Sequence, residues 1–262
     1  MKRQVFSYLA VAVIALLTAL TSCDKNDDLD KNDYPVYVGV KLLDTETSGL
    51  YHSRKFIYDN HNRMKEIQTF SGGILHYKTI LTYTGEDLTK CEYVYFDGGV
   101  ELPDRSIRNY VKKGNTISYS MGVEILEGEG AGNQDFNITI TLNNDGFPEK
   151  LEEVLFNTTS VSTFTYVNGN LTKHLYDTVF SSLLNDPGEK NYTYGVERSV
   201  FSGCNTPKWF LFLNYFEMAS HNVVTSSSFP NSTSYSYEFD SDGFPTKIFQ
   251  GAGDITEYKY KN

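Results

Sequence analysis

The sequence predicts an all-β fold: a large antiparallel up-and-down meander of repeated β-hairpins, curved or barrel-like, with one short buried helix near 207–219. Three observations carry this. The aromatic residues are abundant and of the strand-favouring kind, 20 Tyr and 17 Phe against 1 Trp and 4 Met in 262 residues. Apolar and polar residues alternate with a period of two in segment after segment, as in Phe56-x-Tyr58, Ile138-x-Ile140-x-Leu142, Phe164-x-Tyr166 and Tyr235-x-Tyr237-x-Phe239. Short clusters of Asp, Asn and Gly punctuate the alternation, and these residues tolerate positive φ and cap their own backbone.

The N-terminus sets the compartment. Lys2 and Arg3 precede an uncharged apolar run from Val5 to Leu20, the pattern of a secretory signal and short for a bilayer span of about 20 residues. The run ends in Leu20-Thr21-Ser22-Cys23, which resembles the lipobox of bacterial lipoproteins. That resemblance implies acylation of Cys23 and cleavage in front of it, making residues 1–22 a leader; the plain alternative is an ordinary signal peptide with a chance cysteine. Each buried methylene of an acyl chain contributes about 0.8 kcal/mol, so two or three chains would hold the terminus on a membrane. Residues 23–35 are then a lipidated flexible acidic tether, because "DKNDDLDKND" carries one apolar residue and cannot offset the entropy of its own ordering. An acidic cluster at this place resembles the surface-export signal of Bacteroidetes-type lipoproteins, interrupted here by Lys25 and Asn26. The expected location is the outer membrane, with the cell surface and the periplasmic face both open.

What remains, 36–262, reads as a single repeat-built β domain. The chain has a formal net charge of −10, and losing Lys2 and Arg3 makes the mature body more acidic still, which argues against nucleic acid as a partner. With Cys23 lipidated, Cys91 and Cys204 remain; they form a disulfide or stay as two buried thiols. Neither Cys-x-x-Cys nor His-x-x-x-His occurs, so there is no zinc signature and no cofactor motif.

Internal repetition is the strongest signal in this body. One template of ten residues runs Tyr58–Ile67, Leu142–Leu151 and Phe239–Ile248: an apolar residue, Asp or Asn, two polar residues, Gly or Asn, then a return to alternation. A second runs Tyr83–Lys90 and Tyr166–Lys173, with a weaker copy at Tyr110–Ile117. The first recurs at a step of 84 and the second at a step of 83, so a unit of two hairpins has been duplicated. After the turns the alternation resumes in Leu88-x-x-Cys91-x-Tyr93 and Leu171-x-x-His174-x-Tyr176. Strands joined by loops this short are antiparallel neighbours.

The template also settles the one segment that looks like chemistry, "YEFDSDGFPTKI". An EF-hand loop needs an oxygen ligand at position five and a bidentate Glu at twelve, but counting from Asp240 those places hold Phe244 and Gly251. Asp240 is Asn143 in a sister copy, and Asp242 aligns with His61. Asp240, Asp242, Gly146 and Gly243 are therefore structural turn residues, with no metal ligand and no catalytic pair among them. The form of "FIYDNHNRMKEI" resembles the YD repeat of Rhs-type shell proteins. The whole array behind a lipobox resembles the Bacteroidetes-type lipoprotein family of unknown function with a porin-like fold. That resemblance spans about 36–262 and implies a barrel-like sheet but no activity. Charged outward faces speak against lipid on the outside.

One segment breaks the period of two. Thr206 to Ala219 is apolar nearly all round, with Thr206 placed as N-cap and Pro207 at the first helical position. Such a helix must be buried, with Trp209, Phe210, Leu213 and Phe216 against the concave aromatic rows. The segment either plugs the core or gates a ligand, and a strand is the structural runner-up. The five histidines, His52, His61, His76, His174 and His221, share no spacing and read as surface or strand residues. "EGEGAG" at 127–132 lacks the Lys-Ser/Thr of a phosphate loop. The expected function is a non-enzymatic, lipid-anchored envelope module with a binding or architectural role, a glycan being the first ligand class because aromatic rings stack on sugars. The alternative is a carrier enclosing an apolar ligand beside the helix, and an envelope hydrolase has the lowest weight.

Overall fold

The structure, a computed structural model, describes residues 40–49, 51–125, 132–155, 158–177, 188–228, 232–251 and 253–261. The leader, Cys23 and the tether lie outside the described residues.

Among the described residues there are seventeen strands, and every bonded pair is antiparallel. They are β1 (Leu42–Ser48), β2 (His52–Tyr58), β3 (Met64–Ser71), β4 (Ile74–Thr84), β5 (Asp87–Asp97), β6 (Val100–Asn109), β7 (Val111–Lys113), β8 (Thr116–Ile125) and β9 (Gly132–Leu142). The second half is β10 (Pro148–Leu155), β11 (Thr158–Val167), β12 (Asn170–Asp177), β13 (Gly188–Arg198), β14 (Asn222–Ser227), β15 (Thr233–Phe239), β16 (Pro245–Gln250) and β17 (Asp254–Lys261). Strand β17 bonds β1 from Leu42↔Lys261 to Ser48↔Thr256, so the last strand returns to the first and the meander becomes a nearly closed barrel. The incomplete place lies between β6 and β8. β6 bonds β5 as far as Asn109, the chain crosses at Tyr110, and β7 bonds β8 only from Val111↔Ser118 to Lys113↔Thr116.

Because bonded neighbours alternate in direction and β6 runs on through Tyr110 into β7, the turns of both templates gather at one end of the barrel. Their chemistry repeats atom for atom. Asp59 Oδ1 accepts the N–H of His61 and of Arg63, Asn143 Oδ1 those of Asp145 and Phe147, and Asp240 Oδ1 those of Asp242 and Phe244, all between 2.9 and 3.1 Å. The left-handed position that follows holds Asn62 (φ 60°), Gly146 (φ 81°) and Gly243 (φ 74°). The carboxylate copies use their second oxygen for a cation: Arg63 bonds Asp59 Oδ2 and Lys41 bonds Asp240 Oδ2, each at 2.8 Å. The tyrosines have a repeated task too. Tyr83 donates to the carbonyl of Met64 and Tyr260 to that of Pro245, two equivalent template positions.

The connection from β13 to β14 enters at this same end. It forms helix α1 (Lys208–Tyr215) and a 3-10 turn (Phe216–Ala219) inside the barrel. Trp209, Phe210, Leu211, Phe212 and Tyr215 are buried, and they join the inward rows of the sheet in one core. Thr206 has a different role from the one its position suggests. Pro207 is the N-cap residue with no side-chain cap bond, and Thr206 Oγ1 instead accepts the buried N–H of Met64 at 2.7 Å. The hydroxyl ties the helix entry to β3, where it satisfies a backbone donor left open by the turn. Cys91 and Cys204 are both free thiols.

Candidate functional site

The alternation that builds the wall also decides what faces inward. In β10 the apolar phase passes through Leu151 and continues to Glu153, and in β6 it passes from Tyr110 back to Arg108. In β12 a bulge opposite Thr165/Tyr166 keeps His174 in phase with Leu171. Three ionisable side chains are thereby delivered to one half-open cavity of about 380 Å³, bounded also by Leu213, Asn214 and Phe216 at the far end of α1.

None of the three is hydrogen-bonded within the described residues. Arg108 lies with its guanidinium 4.8 Å from the Tyr93 ring and 5.9 Å from the Tyr119 ring, and its buried Nε has no partner. Burial pushes the Glu153 carboxyl up, and no cation beside it acts to lower it. The His174 ring stacks on Phe164 at 4.6 Å and approaches Phe216 at 5.4 Å; its Nε2 is buried without a partner. Burial, aided by the Lys190 charge, brings its pKa down to about 4, so the imidazole is neutral at pH 7. Aromatic walls with a few unsatisfied polar groups converging on them are the usual anatomy of a small-molecule site.

A second, polar pocket of about 440 Å³ lies at the opposite end from the template turns. Arg54 and Glu46 meet there at 3.5 Å, while Glu46 Oε2 and Thr69 Oγ1 are buried without partners. Serines 48, 53 and 71 complete its hydroxyl-rich lining.

Of the residues the sequence singles out, Trp209 and Phe210 sit in the packed core, and Leu213 and Phe216 line the aromatic cavity. Gly146, Gly243, Asp240 and Asp242 lie in the turns at the other side of the plug, and Lys41 pairs with both carboxylates, at 2.8 and 2.5 Å. His174 is not a surface residue: it is in the cavity wall, because its strand phase turns it inward. Arg108 and Glu153 carry no motif, and the signal that finds them is a charge on the apolar phase of a strand. Among the described residues no group of three or more His, Cys, Asp or Glu could hold a metal ion, and no helix is long and apolar enough to cross a membrane.

The fold defines a plugged, nearly closed β-barrel with a half-open cavity below its helix. No family model matches the chain, and no curated protein matches it. Solved structures similar to it include two porin-like proteins. One is a porin-like protein from Bacteroides uniformis, 12% identical, with a TM-score of 0.40 over 85% of this chain and 98% of that one. The other is a porin-like protein from Bacteroides vulgatus, 9% identical, with a TM-score of 0.39 over 84% of this chain and 99% of that one. At this level the likeness carries no argument about activity.

Proposed function

We propose that the chain is a lipid-anchored, water-facing barrel of the cell envelope that acts as a binding module and holds a small ligand in the cavity below α1. The observation that supports it most is the convergence of Arg108, Glu153 and His174 on one aromatic cavity, with Arg108 Nε and His174 Nε2 buried without a hydrogen-bond partner. This favours a ligand held in the cavity over a surface glycan, since the exposed aromatics Tyr51, Tyr95 and Phe239 sit on separate elements. The role is binding rather than catalysis: Arg108 keeps its proton at any working pH, and His174 is held neutral against Phe164. Water on the outside follows from the ion pairs that run round the wall. They include Lys78–Glu66, Arg105–Glu92, Lys150–Glu152, Lys173–Glu189 and Lys261–Asp44, which a bilayer would have to desolvate.

The test is saturable binding of a neutral apolar fluorescent probe to the mature protein, at one site per barrel and abolished by Leu213→Trp, which fills the cavity. Binding that is absent, or indifferent to Leu213→Trp, sinks the reading. A second reading keeps the glycan: the polar pocket at Glu46 and Thr69 has the open acceptor and hydroxyl that a sugar would satisfy. Chemical-shift changes confined to that pocket on adding monosaccharides are its expected result.

A further inference from the structure

We propose that the cavity below α1 takes an amphipathic carboxylate, its anionic head on Arg108 and its apolar body, a ring system or short acyl chain, among Tyr119, Phe164 and Phe216. This rests on the reading of the cavity as a ligand site and names the ligand's class.

The argument is one of charge. Several cations that are buried or half-buried in the barrel have a carboxylate: Arg54 has Glu46, Arg63 has Asp59, Lys41 has Asp240 and Lys261 has Asp44. Arg108 has none among the described residues, although it points inward. What it has is the two tyrosine faces, which complement a guanidinium's plane and leave its in-plane N–H donors open. Leaving such a group unpaired in a low-dielectric interior is costly, and the fork of donors matches a carboxylate. Glu153 does not fill the place. It forms no ion pair with Arg108, and its carboxyl is shifted by burial alone, as expected of a group that no cation reaches. One guanidinium balances one negative charge, which selects a monoanion over a phosphate dianion.

The remaining groups describe the body. A cavity of about 380 Å³ is near the small end of ligand pockets, so the body is one or two rings or a short chain and not a whole lipid. His174 Nε2 and the Glu153 carboxyl offer hydrogen bonds to a hydroxyl substituent on that body.

A matched probe pair tests this: 2-naphthoate and its neutral counterpart 2-naphthalenemethanol, titrated into the mature protein by calorimetry. Naphthoate should bind at least about tenfold more tightly, a difference of ~1.4 kcal/mol. Arg108→Met, which retains the side chain's bulk over the tyrosines, should bring the two affinities together while the alcohol's changes less than threefold or so, and Arg108→Lys should recover part of the preference. Equal affinities in the wild type, or a preference that survives Arg108→Met, overturn the carboxylate and leave the cavity reading standing. Failure of both probes removes the cavity reading and this inference with it. If Arg108→Met lacks a cooperative melt, the wild-type ratio together with Arg108→Lys decides.

Discussion

Asp240 illustrates how one side chain can look catalytic and serve the backbone. Its Oδ1 accepts two N–H groups of the following turn, and its Oδ2 bonds Lys41. Asp240→Ala leaves those donors open and should cost about 1 kcal/mol, whereas Asp240→Asn should be mild because Asn143 makes the same bonds in its own copy. Gly243→Val forces a β-branched residue to positive φ and should cost at least ~1 kcal/mol. Chemical denaturation measures all three, and added calcium should leave the wild-type midpoint unchanged. His174 gives a pH signature. Its pKa is about 4 in the folded state against 6.5 for an ordinary imidazole, so between those values the unfolded chain takes up the proton and the folded one does not. The stability this neutral ring carries is present above pH 6.5 and is lost as pH falls toward 4. His174→Phe, which retains the stacking on Phe164, should therefore show a shallower fall of melting temperature across that window than the wild type.

At the scale of the element, α1 is defined by what surrounds it rather than by its ends. It has no side-chain cap, no acidic residue in its first turn and no basic residue in its last. Eight residues without caps would not stay helical alone in water. Burial holds it. Phe210 is 1% exposed and Phe212 2%, and Phe212 packs on Phe164 at 4.8 Å and on Phe216 at 4.4 Å. Phe210→Ala should cost about 3–5 kcal/mol, enough to abolish much of a typical domain's stability. Leu213→Ala, by contrast, removes a half-buried residue facing the cavity. It should leave the melt cooperative and increase the capacity for a neutral apolar probe, and circular dichroism paired with probe titration separates the two outcomes. A plug and a ligand site are thus compatible, because the first turn of the helix is packed in the core while its C-terminal end, from Phe212 to Phe216, borders the cavity.

The whole molecule depends on its closing seam. Strand β17 bonds both β16 and β1, and its Tyr258 and Tyr260 belong to the core. Truncation after Gly253 would expose the edges of β16 and β1 and remove those rings, and it should abolish cooperative unfolding, read as loss of the thermal transition with binding of a hydrophobic dye. The outer face leads to a second expectation. With Cys23→Ser the proposed acyl anchor is gone, and a barrel whose wall is laced with ion pairs should leave the membrane fraction and stay monodisperse without detergent. A protein that still fractionates with membranes, or that needs detergent, would contradict both the anchor and the water-facing wall.

Local properties were legible in the sequence, and for a physical reason: the period of two and the turn chemistry act between neighbours along the chain. They determined the strands, the three Asx-type turns at 59, 143 and 240, the antiparallel meander and the burial of the segment from 207 to 219. The spacing Leu171-x-x-His174 was also legible, but the bulge that turns the ring inward was not. Only the tertiary structure decided the rest. Closure depends on Leu42 meeting Lys261 across the whole chain, and Thr206 gave up the expected cap because Met64, far away in sequence, presented a buried donor. The cavity is of the same kind. Arg108, Glu153 and His174 come from three strands and meet only because the wall curves, and a missing partner, unlike a motif, has no sequence pattern: it is visible once every neighbour has been placed.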